Sequence, residues 1–161
     1  MTKNEVQKHI RAIFKKKGFL CRNTHFYYDT PGDFMIVFGI QSSVYGGHCY
    51  LERGYCIKSI NRYSEYPKFY ELGLNCGRIS GPIEYEGFGE EWIRYIENKV
   101  DELLPKMLEL AGGGKDALIG YYLERKDTTG VLNWYVLGDY TAEYFGLTRA
   151  DVKYHFCDPD V

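Results

Sequence analysis

The sequence predicts an α+β domain: an antiparallel sheet of about four to five strands packed against an N-terminal helix and a long kinked helix, with a helical C-terminal region. Three observations carry the prediction. Val6, Ile10, Ile13 and Phe14 recur at i, i+4, i+7 and i+8, the apolar stripe of a first helix. From Phe26 to Ile57 the chain reads as three consecutive strands joined by turn residues. Trp92, Ile96, Val100, Leu103, Met107 and Leu110 then mark the apolar side of a long second helix.

The first helix should close at Gly18, which takes a left-handed cap without steric cost. Lys15, Lys16 and Lys17 fall in its last turn, where they complement the carbonyl end of the dipole, so they read as a helix end and not as a binding patch. The strands run from Phe26 to Asp29, from Phe34 to Ser42 and from Cys49 to Ile57. Thr30-Pro31-Gly32-Asp33 presets the first turn, and Gly46-Gly47 serves the second. The second strand alternates Phe34, Ile36, Phe38 and Ile40 with Met35, Val37 and Gln41, apolar on both faces, as a central strand covered on both sides would be. The third mixes polar and apolar residues on each face and should be half-exposed. A loop is expected from Asn61 to Tyr70, and a shorter strand around Leu72 to Ile79.

Glu90 and Glu91 suit the start of the long helix, and Pro105 should kink or break it, opening a second helical segment in the latter case. Gly112-Gly113-Gly114 ends it and offers a joint. Beyond it, Leu118, Ile119, Tyr122 and Leu123 mark a short helix, and Val131 to Phe145 another, although Trp134-Tyr135-Val136-Leu137 also reads as a strand. Thr148, three residues before Asp151, gives a capped start for a last helical turn.

The 161 residues fit one domain, residues 1–161, with an α+β core over 8–110 and a helical extension over 115–161. A chain of this size buries roughly two-thirds of the surface its unfolded form exposes, so no cofactor is needed for folding. A net charge of −2 offers no positive field for phosphate backbones, which argues against a nucleic-acid partner. Five cysteines at irregular spacing with no CxxC pair argue against a disulfide scaffold and against a thiolate metal site. No apolar leader and no run of 18 uncharged apolar residues is present, so the expectation is a cytoplasmic protein off the membrane. Aromatic residues, 17% of the chain, are the anomaly. Most should fill the core, and the surplus suits a recognition surface.

No catalytic constellation is legible. His48 and Cys49 are adjacent on a strand and point to opposite faces, so they cannot pair. His25 and Asp29 share a strand face about 13 Å apart, too far for a direct bond, and read as a surface feature. Asp151, His155, Cys157, Asp158 and Asp160 have ligand chemistry for a metal, but a chain terminus rarely holds such a geometry, and no metal site is assigned. Gly87-Phe88-Gly89 precedes a helix as a phosphate cradle does, yet Glu90 and Glu91 would repel an anion there. Gln41, Ser42, Ser43, Glu52, Arg53 and Arg78 are the polar residues expected to converge at one end or face of the sheet, where a small ligand or a partner's charged side chain could be held. The competing reading makes Glu52 and Arg53 members of solvated cross-strand pairs.

Four runs carry a resemblance: Phe14-Lys15-Lys16-Lys17-Gly18-Phe19, Phe26-Tyr27-Tyr28, Phe38-Gly39-Ile40-Gln41-Ser42-Ser43 and Tyr50-Leu51-Glu52-Arg53-Gly54. In this order they resemble the bacterial domain-of-unknown-function family four-three-zero-four, over about residues 8–110. That family usually shows a Gly-Phe after its first helix, a Gln-Lys-Ser ending a strand and an Asn-x-Gly in the next strand. Here Ser42 replaces the Lys and Glu52 stands in the Asn position, and Asn75-Cys76-Gly77-Arg78 is similar to a later Cys and Arg pair. The resemblance implies an α+β domain with an antiparallel sheet, and no activity.

The leading expectation is therefore a binding module that engages another protein, with no cofactor, in the manner of toxin-neutralising immunity proteins. Tyr63, Tyr66, Phe69 and Tyr70 are the expected contact residues, because aromatics are enriched at interface cores. The rival is an enzyme or small-ligand binder using Gln41, Glu52, Arg53 and Arg78 in a pocket beside the sheet. The sequence leaves the oligomeric state open.

Overall fold

A computed structural model describes residues 1–124 and 139–148. Helix α1 spans Lys3–Lys16 and begins at a capping box: the Glu5 amide donates to Thr2 Oγ1, and the Thr2 amide donates to Glu5 Oε2 at 2.7 Å. It ends as Gly18 predicts. Gly18 has φ +86°, its N–H donates to Lys15 O, and the Phe19 N–H donates to Phe14 O. The Phe14 and Phe19 rings meet edge-to-face at 5.1 Å across this turn, and Phe14 stacks on Phe26 of the sheet at 4.2 Å. Of the three lysines, Lys17 pairs with Asp101 and Lys16 with Glu97, which joins the end of α1 to the long helix.

The sheet has six antiparallel strands: β1 (Leu20–Arg22), β2 (His25–Tyr28), β3 (Phe34–Ser42), β4 (His48–Ile57), β5 (Leu74–Arg78) and β6 (Ile83–Glu84). The order is β1-β2-β3-β4-β5, with β6 also paired to β4. The short strands β1 and β6 extend the expected four to five, and segments of three and two residues carry too little alternation to be read beforehand. Strand β3 lies at the centre, and its two apolar faces have two separate covers. Phe34, Ile36 and Phe38 face α1 and the long helix, whereas Met35 and Val37 lie under the segment that carries Phe69 and Leu72.

Helix α2 spans Glu90–Gly112 and passes through Pro105 as one element, so the break and second segment allowed for at Pro105 are not made. A proline in this position removes one donor from the Asp101 carbonyl, and packing of Val100, Met107 and Leu110 outweighs that loss. The corner comes instead at Gly113 and Gly114, the latter at φ +78°. Helix α3 (Gly114–Glu124) buries Leu118, Ile119 and Tyr122, whereas Leu123, the fourth residue expected to mark this helix, is 40% exposed. Helix α4 (Asp139–Phe145) places Ala142 and Phe145 against the core. Trp134 to Leu137 and the Asp151 end of the expected last turn lie outside the described residues. No described helix is long and apolar enough to cross a membrane.

Candidate functional site

Side-chain alternation along β4 divides its polar residues between two environments. Cys49, Leu51, Tyr55 and Ile57 belong to the helix-covered core, so Arg53 points that way too, and its Nε is buried with no hydrogen-bond partner among the described residues. Tyr50 and Glu52 point to the opposite, partly open face.

Strand β5 brings a third group to that open face. Gly54 pairs with Asn75 and Glu52 with Arg78, so β5 carries one extra residue between these pairs. The bulge falls at Gly77, φ +82°, and the Asn75 side chain fixes it by accepting the Gly77 N–H at 2.8 Å. An unbulged strand would alternate Arg78 away from Asn75; the extra residue returns both to one face. Arg78 then donates from Nη2 to Gln41 Oε1 at 3.0 Å, sets Nε 3.7 Å from Glu52 Oε1, and lays its guanidinium over the Tyr50 ring at 3.6 Å.

Beside this cluster lies a cleft of about 300 Å³ with Gly39 on its floor, Phe69 and Tyr70 on one wall, and Gln41, Glu52 and Asn75 on the polar side. His25 borders it. The Phe69 N–H donates to His25 Nε2 at 3.0 Å, which puts the ring proton on Nδ1, 3.3 Å from Thr24 Oγ1. Burial first, and then nearby Lys68, hold its pKa below the ordinary histidine value. His25 is thus a neutral, half-buried clasp for the Phe69 turn, a correction to the surface reading, and both its nitrogens are occupied. Glu52 moves the other way: burial raises its pKa, and the attraction of Arg78 only partly offsets that.

Three of the four residues expected in a pocket beside the sheet, Gln41, Glu52 and Arg78, therefore come together, and Arg53 does not. Ser42 lies on the other face, where it bonds Tyr85. The four expected contact aromatics do not form one surface. Tyr66 packs edge-to-face on Tyr27 at 5.2 Å, and Phe69 is buried beneath the same segment, so both hold that segment to the sheet. Tyr70 is 77% exposed at the cleft, and Tyr63, 54% exposed, lies toward Tyr140 of α4. His48 bonds Tyr50 at 3.0 Å, while burial pushes the Cys49 thiol to about 11, which keeps it protonated and unreactive. No group of three or more His, Cys, Asp or Glu side chains suited to a metal occurs among the described residues, and the Asp151 to Asp160 cluster lies outside them.

Sequence reasoning missed His25, Gly39, Tyr50 and Asn75. The available signal was a glycine inside each of two strands, Gly39 in β3 and Gly54 in β4, because an interior strand glycine marks close approach of another group. A Cβ on Gly39 would lie 3.2 Å from Phe69 Cδ2, and one on Gly54 would lie 2.5 Å from the Leu74 carbonyl oxygen.

A second exposed feature stands at the β3–β4 turn. Val44 and Tyr45 are 92% and 94% exposed, on a loop shaped by Gly46 and Gly47 at φ +76° and +77°.

A family model described as a domain of unknown function (DUF4304) matches residues 10–110, and the chain belongs to that family. No curated protein and no solved structure matches it.

Proposed function

We propose that this member of the family is a bacterial, cytoplasmic binding module that recognises another protein through the open side of its sheet, at the β3–β4 hairpin. The observation that carries the reading is the exposure of Val44 and Tyr45 at 92% and 94%. Two adjacent apolar side chains held in water by two left-handed glycines gain nothing for the fold, whereas each would gain about 1.5–3 kcal/mol on full burial against a partner. The Tyr50–Arg78 stack beneath supplies a rigid aromatic and arginine pair, the residue types enriched at interface centres. Free thiols at Cys21, Cys49 and Cys56 suit a reducing compartment. A toxin-neutralising role is one form such a module takes, and a toxin gene beside its own would support that form.

The test is quantitative capture from the native cell with the full chain and with a Val44→Ser, Tyr45→Ser double variant. A partner held by the parent and reduced at least tenfold with the variant is expected. Equal recovery by both, with the variant folded, would refute the hairpin as the contact.

A further inference from the structure

The cleft beside Gly39 has a hydrogen-bonding pattern that the hairpin reading leaves unused. Its amide orientations are fixed by their neighbours. Arg78 only donates, so the oxygen of Gln41 faces Arg78 and the NH2 is left over. The Gly77 N–H only donates, so the oxygen of Asn75 faces it, and again the NH2 is left over. Neither nitrogen is taken by another described residue. Glu52 can accept about four hydrogen bonds and has Arg78 Nε at 3.7 Å, longer than a hydrogen bond. Both His25 nitrogens are spent. The cleft therefore presents amide N–H donors and one carboxylate acceptor beside the Phe69 and Tyr70 rings, with the Phe69 ring packed over Gly39.

We propose that this cleft binds a planar amide, a group in which an N–H stands next to a C=O, as in the lactam edge of a heterocyclic base or the side-chain amide of glutamine. The C=O accepts from Gln41 and Asn75, the N–H donates to Glu52, and the flat face lies against the aromatic wall. A cation would satisfy Glu52 but meet two N–H donors and Arg78. An anion would satisfy the donors but meet Glu52. Only a neutral group with both functions matches every side. About 300 Å³ admits a base-sized ring and leaves a sugar or a peptide backbone at the mouth. The raised pKa of Glu52 is consistent with a carboxylate kept in the cleft at a cost to the fold.

The experiment is a ¹H–¹⁵N NMR titration of the full chain with guanosine, N-acetylglutamine amide and 1-methylinosine, the last keeping the ring C=O but carrying a methyl in place of the lactam N–H. Saturable shifts of the Gln41 and Asn75 side-chain amides are expected, with affinity at least tenfold weaker in Glu52→Gln, which keeps the fold. Tighter binding of guanosine identifies a free heterocycle as the source of the amide, and tighter binding of N-acetylglutamine amide identifies a partner's side chain. No saturable shift with either up to about 10 mM, equal binding of 1-methylinosine, or unchanged affinity in Glu52→Gln would overturn the proposal. Glu52→Gln leaves Val44 and Tyr45 in place, so failure here and failure of the hairpin contact are told apart.

Discussion

Gly54→Ala is a severe test of how β4 and β5 are held. The added Cβ would lie 2.5 Å from the Leu74 carbonyl oxygen, 2.9 Å from Leu72 Cδ1 and 3.3 Å from Asn75 Cα. The leucine methyl can turn away, but the other two atoms are backbone of β5. To reach ordinary contact at 3.4 Å the carbonyl must retreat by about 0.9 Å, which pulls β5 from β4 at the Gly54–Asn75 and Tyr55–Leu74 pairs. Overpacking of this kind costs about 1–3 kcal/mol. The narrower unfolded ensemble of alanine offsets about 0.4–1 kcal/mol. The net expectation is a loss of about 1–2 kcal/mol, or a melting point lower by about 2–8 °C for a chain of this size. Urea unfolding followed by tryptophan fluorescence measures the first and calorimetry the second. Gly81→Ala is the control, because nothing lies within 4 Å of its Cβ. A Gly54→Ala loss below about 0.5 kcal/mol, the scatter of ordinary surface changes, would refute the close approach of β5 and with it the placement of Asn75 and Arg78 at the cleft.

Glu52→Gln should be more stable than the parent at pH 7. A carboxylate whose folded pKa is raised contributes its stability below the unfolded value and loses it as pH rises through the folded one, so the advantage of Gln grows from about pH 4 to neutrality; a variant less stable than the parent at pH 7 in urea unfolding would contradict this. Tyr144 donates to Asp33 Oδ2 at 2.8 Å and ties α4 to the β2–β3 turn. Burial alone would raise the Asp33 pKa, but hydrogen bonds from Ser59 and Tyr144, with Lys58 nearby, bring it below the ordinary carboxylate value. Tyr144→Phe should therefore lose about 1 kcal/mol at pH 7, a difference that shrinks as pH falls below about 4 and Asp33 protonates; an undiminished loss in acid would refute the role of the charge. Tyr27→Phe removes a buried donor to the Pro67 carbonyl at 2.9 Å, so a loss of about 1–2 kcal/mol and faster hydrogen exchange across residues 61–73 are expected. Unchanged exchange there would show that the segment is held by other contacts. Cys49 and Cys56, both buried with pKa pushed up to about 11, should react with a thiol reagent only on unfolding.

Much of the fold was legible because its periodicities are long. Fourteen residues of α1 and nine of β3 each repeat their pattern often enough to fix a face, and β3 declared its two covers by being apolar on both sides. The break allowed for at Pro105 is absent because packing along α2 outweighs local backbone preference. The candidate site was legible only in part. Gln41 and Glu52 follow from strict alternation, but Arg78 reaches them through the bulge at Gly77, and a one-residue insertion reverses every face assignment beyond it. Arg53 shows the converse: adjacent to Glu52 in sequence, it lies on the opposite face for that reason alone. His25 was misread because its partner, the Phe69 amide, lies 44 residues away.

Hydrogen exchange of the full chain, free and with its captured partner, tests the central claim most directly, that recognition belongs to the open face and the helix-covered face is structural. The account predicts new protection in residues 39–54 and 68–78, and none in α1 or α2. Protection confined to α1 or α2, with the β3–β4 hairpin exchanging as before, would contradict it.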